Sequence, residues 1–410
     1  MRLTENKSFY PWLVVALLWV VAFLNYFDRL LITSMRDPIV ADFEINDAQF
    51  GLLTSVFLWS YGLVSPFGGY LADKYSRKKL IVFSVGVWSA VTLWTGYTQS
   101  FPEILVTRVL MGVSEACYIP AALALITDYH AGKTRSLATG LHMCGLYTGL
   151  ALGGLGGYIA EAWGWRFGFH AFGAFGVVYS LLLFYLLKDG NKTRNESVSV
   201  AENQTTGYSV KEALKSLFKI PSYYIILFFF SALGMANWLV NGWLPTFVKD
   251  QFHLGLGSAG ISATGYMQVG SFIGVIIGGI LADRWVQKNV KGRLNVILMG
   301  FCIGAPFLFL LASTSSFTLA VLGMIIFGLA RGFNDANLMP LLAQVINPRY
   351  IATGYGFLNF LSTIVGGLMV YLGGALKDAN VNLSITFQVV AVLLLLSTLT
   401  LRFVKIKNKE

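Results

Sequence analysis

One phrase occurs twice in this chain. Gly69-Tyr70-Leu71-Ala72-Asp73-Lys74-Tyr75 returns as Gly279-Ile280-Leu281-Ala282-Asp283-Arg284-Trp285, each copy closing an apolar stretch and opening a basic loop. A second echo sets Gly112-x-x-Glu115-Ala116-x-x-x-Pro120 against Gly332-x-x-Asp335-Ala336-x-x-x-Pro340 at nearly the same separation. Two independent echoes at nearly the same offset, 210 and 220 residues, mark a duplicated unit. In an apolar chain, that predicts two helical bundles with a binding cavity near the membrane midplane, the construction of a secondary transporter.

The chain is apolar enough for that reading. With 56% hydrophobic and 12% charged residues and a mean hydropathy of +0.65, a water-soluble fold would have to expose apolar surface that water does not tolerate. About 20 apolar residues cross a bilayer. Stretches of that size lie near 12–34, 49–71, 80–99, 103–127, 136–160, 168–187, 222–248, 259–282, 294–313, 317–343, 351–376 and 384–404. The expectation is an all-α membrane protein of twelve transmembrane helices in two six-helix bundles with pseudo-two-fold symmetry. Residues 1–190 form the first bundle, 191–220 a cytoplasmic linker and 221–410 the second bundle. The linker is marked by its Asn, Ser, Thr, Lys and Glu content, and 210–218 within it has the pattern of a surface amphipathic helix.

The net charge of +10 reports topology rather than nucleic-acid binding. Among the Lys and Arg residues, only Arg36, Arg166, Lys249 and Lys377 fall on one side of the membrane, and Arg29, Arg108 and Arg331 fall within spans. All the others lie on the opposite side, which the positive-inside rule makes cytoplasmic together with both termini. The first span is too long and lacks the small-residue site of a cleavable signal peptide. Cys117, Cys144 and Cys302 all sit in apolar spans, so packing rather than a disulfide framework is expected of them.

Charges inside the spans are the candidate functional groups. Asp28, Arg29, Arg108, Glu115, Arg331 and Asp335 occupy positions where each centred charge costs roughly 2.5–3.5 kcal/mol, so they must face a wet cavity or one another. Arg108 and Glu115 differ by about 20° in azimuth and share one face of span 4. Asp28 and Arg29 are about 100° apart, so one can face the cavity while the other meets a neighbouring helix. The alternative is structural: Asp28 with Arg108, or Arg29 with Glu115, as ion pairs holding spans 1 and 4 in register. Arg331 and Asp335, at i and i+4, are a charge pair of the carboxy-terminal half that is either functional or self-neutralising.

These residue types suit coupled transport. Desolvation favours the protonated carboxyl whereas a nearby Arg favours the carboxylate, so a substrate that binds the Arg frees the acid to take a proton. Arg also pairs bidentately with carboxylate or phosphate and stays charged at any working pH. Tyr61 in span 2, and Asn237 and Asn241 one turn apart in span 7, are candidate polar contacts to substrate. Pro245 is expected to break span 7 near its outer end, and Trp243 has the pattern of an interfacial anchor. His142 is expected to be a structural histidine. The series Gly145-x-x-x-Gly149-x-x-x-Gly153-Gly154 in span 5, with Gly366-Gly367 and Gly373-Gly374 in span 11, predicts close helix approach. In the echoed loops Asp73, Arg77, Asp283 and Arg284 are candidate gating residues, the acids capping or pairing at the ends of neighbouring helices.

Gly69-x-Leu71-Ala72-Asp73-Lys74-x-Ser76-Arg77-Lys78 resembles the loop signature of the major facilitator superfamily, with Ser76 where glycine is usual. Asn25-Tyr26-Phe27-Asp28-Arg29, Trp59-Ser60-Tyr61, Gly164-Trp165-Arg166-x-x-Phe169 and Trp243-Leu244-Pro245-Thr246-Phe247 resemble its anion:cation symporters. That resemblance implies proton-coupled movement of sugar acids and related carboxylates by alternating access, with Arg29 and Arg108 contacting the anion and Asp28 and Glu115 coupling the proton. Asn-Tyr-x-Asp-Arg and Gly112-x-x-Glu115-Ala116-x-Tyr118 also resemble the Spinster-type carriers, which implies a lysolipid or other amphiphile instead. Leu150 stands where drug antiporters typically have proline, and span 7 lacks the arginine of phosphate-ester antiporters.

The reading is a proton-coupled symporter of a small organic anion, monomeric and surrounded by lipid, in a bacterial inner membrane. It predicts that Arg108→Ala abolishes binding, whereas Glu115→Gln keeps binding and loses accumulation. A transporter-like sensor is the alternative of another class, and the chain's end soon after span 12 counts against it. No metal-ligand spacing, nucleophile triad or cofactor loop occurs, so neither an enzyme nor a cofactor or metal is expected.

Overall fold

The computed structural model describes residues 9–130, 134–190 and 210–406, without the side chains of Asp73, Val210, Lys211 and Pro348. Most of the expected linker, 191–209, lies outside the described residues. Contacts divide the chain into two units, Met1–Ile45 with Val56–Val200, and Asn46–Ser55 with Ala201–Glu410.

The first unit contains α1 (Phe9–Leu31), α2 (Arg36–Phe43), most of α3 (Asp47–Lys74), α4 (Arg77–Thr95), α5 (Phe101–Glu115), α6 (Tyr118–Tyr129), α7 (Arg135–Leu152), α8 (Gly156–Trp163) and α9 (Trp165–Leu186). The second contains the first turns of α3 together with α10 (Val210–Leu217), α11 (Pro221–Phe252), α12 (Leu256–Val286), α13 (Gly292–Ser313), α14 (Phe317–Val345), α15 (Ile351–Asp378) and α16 (Leu383–Thr400). Among the described residues, 11 helical stretches are long and apolar enough to cross a membrane. The remaining long helix, α4, starts with Arg77, Lys78 and Lys79, which dilute its apolar run. With it the architecture is that of twelve helices.

Two predicted spans prove to be broken helices. Span 4 is α5 followed by α6, interrupted at Ala116-Cys117. Pro120 explains the break, because its ring displaces the carbonyl four residues back and it has no N–H to offer Ala116. The α3 backbone at Gly68 packs over that carbonyl, so closely that a Cβ there would sit 2.5 Å from Ala116 O. The break leaves Glu115 at the last position of α5. Span 5 breaks at Gly153-Gly154 into α7 and α8.

The glycine series of span 5 does what its spacing predicts. A Cβ at Gly145 would lie 2.5 Å from Trp19 O, and one at Gly149 2.3 Å from Phe23 O, so α7 rests on the α1 backbone. Helices that touch this closely hold α1, and the charges at its end, in one register. In the second unit, α12 and α14 meet through Gly328 and Gly332, whose Cβ positions fall 2.1 Å from Met267 O and 2.3 Å from Ser271 O.

Pro245 does not end its helix as expected. α11 continues through it to Phe252, and the cost of one lost hydrogen bond is outweighed by packing around that turn, where Trp243 and Leu244 are buried. Trp243 is likewise no interfacial anchor: it is fully buried, donates to Val370 O at 2.8 Å, and meets Phe50 edge-on at 5.9 Å. At the start of α3, Asp378 accepts hydrogen bonds from the Asp47 and Ala48 amides at 2.9 and 2.8 Å, and Lys377 pairs with Asp47 at 2.9 Å. The predicted amphipathic helix is α10, which buries Ala213 and Leu217 against α15 and accepts from Tyr350 through Glu212 at 3.2 Å.

Candidate functional site

Four charged side chains meet inside the first unit. Asp28 and Arg29 come from the last turns of α1, Arg108 and Glu115 from α5, and all four are at least nine-tenths buried. Arg29 Nε donates to Glu115 Oε2 at 2.7 Å, and Arg29 Nη2 donates to Asn25 Oδ1 at 3.0 Å, one helical turn back. Its guanidinium lies 4.5 Å from the Tyr26 ring, 4.5 Å from Tyr61 and 5.2 Å from Phe57. The aromatic faces stabilise a cation at such distances. Of the pairings that the sequence leaves open, the structure forms Arg29 with Glu115.

Arg108 reaches the same place from the other side. Its guanidinium is 5.0 Å from Phe57, its Nη1 contacts Met111 Sδ at 3.0 Å, and its charge interacts with those of Asp28 and Glu115. Asp28 is the least supported of the four. Thr92 of α4 offers it a hydroxyl at 3.4 Å, and its Oδ1 has no hydrogen-bond partner. Two carboxylates and two guanidiniums cancel, so the cluster as a whole is electroneutral when all are ionised.

Tyr61 joins this cluster. Asn237 and Asn241 belong to the second unit, each with its side-chain oxygen unpaired. Arg331 is buried in α14 while Asp335, one turn on, is exposed. Arg77 pairs with Asp128 and donates to Ala124 O at 3.1 Å. Asp283 pairs with Arg293 at the start of α13 at 2.8 Å, and Arg293 also holds Asn337 Oδ1 at 3.2 Å. Arg284 is exposed, and the side chain of Asp73 lies outside the described residues.

His142 has the structural environment expected of it. Tyr118 donates its one hydroxyl proton to Leu18 O at 2.9 Å, so the 3.0 Å contact with His142 Nε2 requires the histidine to donate there. Sequence reasoning missed Asn25, Tyr26, Phe57 and Thr92 as cluster members. Asn25 was findable, since it stands four residues before Arg29; Thr92 carries no local signal.

The fold and this buried charge constellation define a multi-pass membrane carrier, and the profile of the Major Facilitator Superfamily matches residues 18–370. The chain belongs to that family. Among individual relatives it is similar to Protein spinster homolog 1 of Xenopus tropicalis, 27% identical over 383 residues that cover 89% of this chain and 72% of the relative. The human homolog 1 is 29% identical over 387 residues, covering 89% and 73%. Protein spinster of Drosophila melanogaster is 27% identical over 384 residues, covering 90% of this chain and 62% of its own length. The fold matches a crystal structure of a bacterial homolog of the human lysosomal transporter Spinster, inward-facing and occupied, with a TM-score of 0.78 at 20% identity over 96% of this chain and 97% of that one. It also matches the nucleoside transporter NupG, with a TM-score of 0.70 at 14% identity over 95% and 98%. Transport is therefore the activity class.

Proposed function

We propose that this chain couples the movement of an organic anion to that of protons by alternating access, with both termini on the cytoplasmic side of a bacterial inner membrane. One observation carries the reading: a buried carboxylate, Asp28, whose one hydrogen bond is a 3.4 Å contact, beside a guanidinium and a second acid that is already paired. A carboxyl held by so few contacts can gain or lose a proton without breaking the packing around it. Asp28 exchanges the proton, Arg108 senses its charge, and the Arg29–Glu115 pair holds the helix ends that present it.

The cargo's apolar part is where the two resemblances divide. Sugar-acid symporters and Spinster-type carriers both account for the motifs, and the relatives reported above favour the second, so an amphiphile with an acidic head is the stronger candidate cargo. Asp73, Arg77, Asp283 and Arg284 are assigned to gating; the Asp283–Arg293 bond supports this by tying α12 to α13.

The test is uptake into proteoliposomes under an imposed pH gradient, with glucuronate and oleoyl-lysophosphatidylglycerol as cargoes. Acid on the cargo side accelerates wild-type uptake of at least one of them. Asp28→Asn removes that acceleration while leaving exchange between equal pH compartments intact. Wild-type flux indifferent to the gradient with both cargoes overturns the coupling.

A further inference from the structure

The second unit holds a buried arginine with two of its three nitrogens unanswered among the described residues. Arg331 is 8% exposed, and its Nε and Nη1 have no hydrogen-bond partner. Among the described residues it forms no ion pair; Asp335, one turn along, is exposed and accepts from Asn334 Nδ2 at 3.4 Å. Gln268 on α12 is 2% exposed, with both its amide oxygen and its amide nitrogen unpaired. A guanidinium left this way is destabilising, and an amide stripped of both hydrogen bonds adds the desolvation penalty of each group. Buried polar groups are nearly always satisfied, so two neighbours that are not invite a ligand as the missing partner.

Helix geometry puts the two side chains on one flank. The α12–α14 seam is in contact on that flank through Met267 and Ser271 on one helix and Gly328 and Gly332 on the other. Gln268 follows Met267 by one residue, which turns it about 100° out of the seam. Arg331 precedes Gly332 by one residue, and because both helices run the same way, its turn out of the seam leads to the same flank. Helical side chains lean toward their own amino terminus, so Arg331 reaches back toward the level of Gln268. Neighbouring α11, which packs against α12, adds Asn237 and Asn241 with unpaired side-chain oxygens.

We propose that Arg331 and Gln268 form an anion subsite inside the second unit that receives the carboxylate or phosphate of the cargo, the guanidinium supplying charge and the amide a further donor. The proposal rests on the reading above in taking the bound anion to be the cargo. It separates two tasks: the four-charge cluster of the first unit handles the proton, and the buried cation of the second handles the anion.

The experiment measures melting temperature of the purified full chain against glucuronate, glycerol 3-phosphate and oleoyl-lysophosphatidylglycerol, since a ligand that binds the folded state raises it. At least one probe raises the wild-type value; the first two separate carboxylate from phosphate, and the third shows whether a tail is needed. Arg331→Met weakens that response about 10- to 100-fold in concentration, the worth of a charge-assisted hydrogen bond, and Gln268→Leu weakens it about tenfold. Without ligand, Arg331→Met melts at the same temperature or higher, because it removes an uncompensated charge. No response of wild type to any probe, a response that survives Arg331→Met, or a lower unliganded melting point in that variant overturns the subsite. Failure of the coupling reading looks different: the response stays dependent on Arg331 while flux ignores the pH gradient.

Discussion

The two units place arginine in apolar surroundings in opposite ways. In the first, Arg29 is enclosed by Glu115, Asn25 and two tyrosine rings, and the four charges of its cluster, its own included, sum to zero when all are ionised. In the second, Arg331 keeps two nitrogens without any partner. A site whose arginines already face acids can hold a helix in register or pass a proton, but has little to offer an incoming anion. A buried arginine without such an acid has that offer at the expense of standing stability. The difference teaches that duplication preserved the scaffold while the chemistry of its halves diverged: the echo aligns Glu115 with Asp335, yet Glu115 is sealed in an ion pair and Asp335 is exposed.

The strongest test of the shared scaffold replaces one seam glycine in each half. Gly149→Val and Gly332→Val push a side chain into backbone at 2.3 Å in both cases, and each is expected to cost about 3 kcal/mol or more. Loss of the monodisperse peak in detergent gel filtration reads this out. Survival of either variant would mean that the seams are not equivalent.

Next in size is the Arg29–Glu115 pair. Glu115→Gln strands Arg29 and is expected to destabilise by about 3–5 kcal/mol, whereas Arg29→Met with Glu115→Leu together recover most of it. Melting temperatures of the single and double variants close the cycle. A single substitution without effect would make the first unit resemble the second. The smallest expected change comes from Lys377→Ala, whose pair with Asp47 is partly exposed, and which should lower stability by about 1 kcal/mol or less.

Much of the architecture was legible because its signals are local or repeated. Span lengths follow from hydropathy, the close-packing face of α7 from glycine spacing, and the presence of buried charges from Asp28, Arg29, Arg108 and Glu115 standing inside apolar runs. Partner choice was not legible. Whether Arg29 meets Glu115, whether Thr92 serves Asp28 and whether Arg77 turns to Asp128 depend on azimuth and neighbour, and these are settled by helix packing rather than by spacing along the chain. Pro245 misled for the same reason: proline weakens a helix locally, but the burial of Trp243 and its bond to Val370 hold that turn from outside it.

The Asp378 cap on α3 bears on biogenesis. The Asp47 amide and the carboxylate that receives it are 331 positions apart, so a chain emerging from the ribosome carries Tyr61 and Phe57 on a helix that Asn46 and Gln49 cap locally but whose Asp47 and Ala48 amides stay unanswered until almost the last span has been made. Contacts this distant in sequence form late. Until then water or lipid headgroups must solvate those amides, and the seating of α15 is what finishes a helix begun near the start of synthesis.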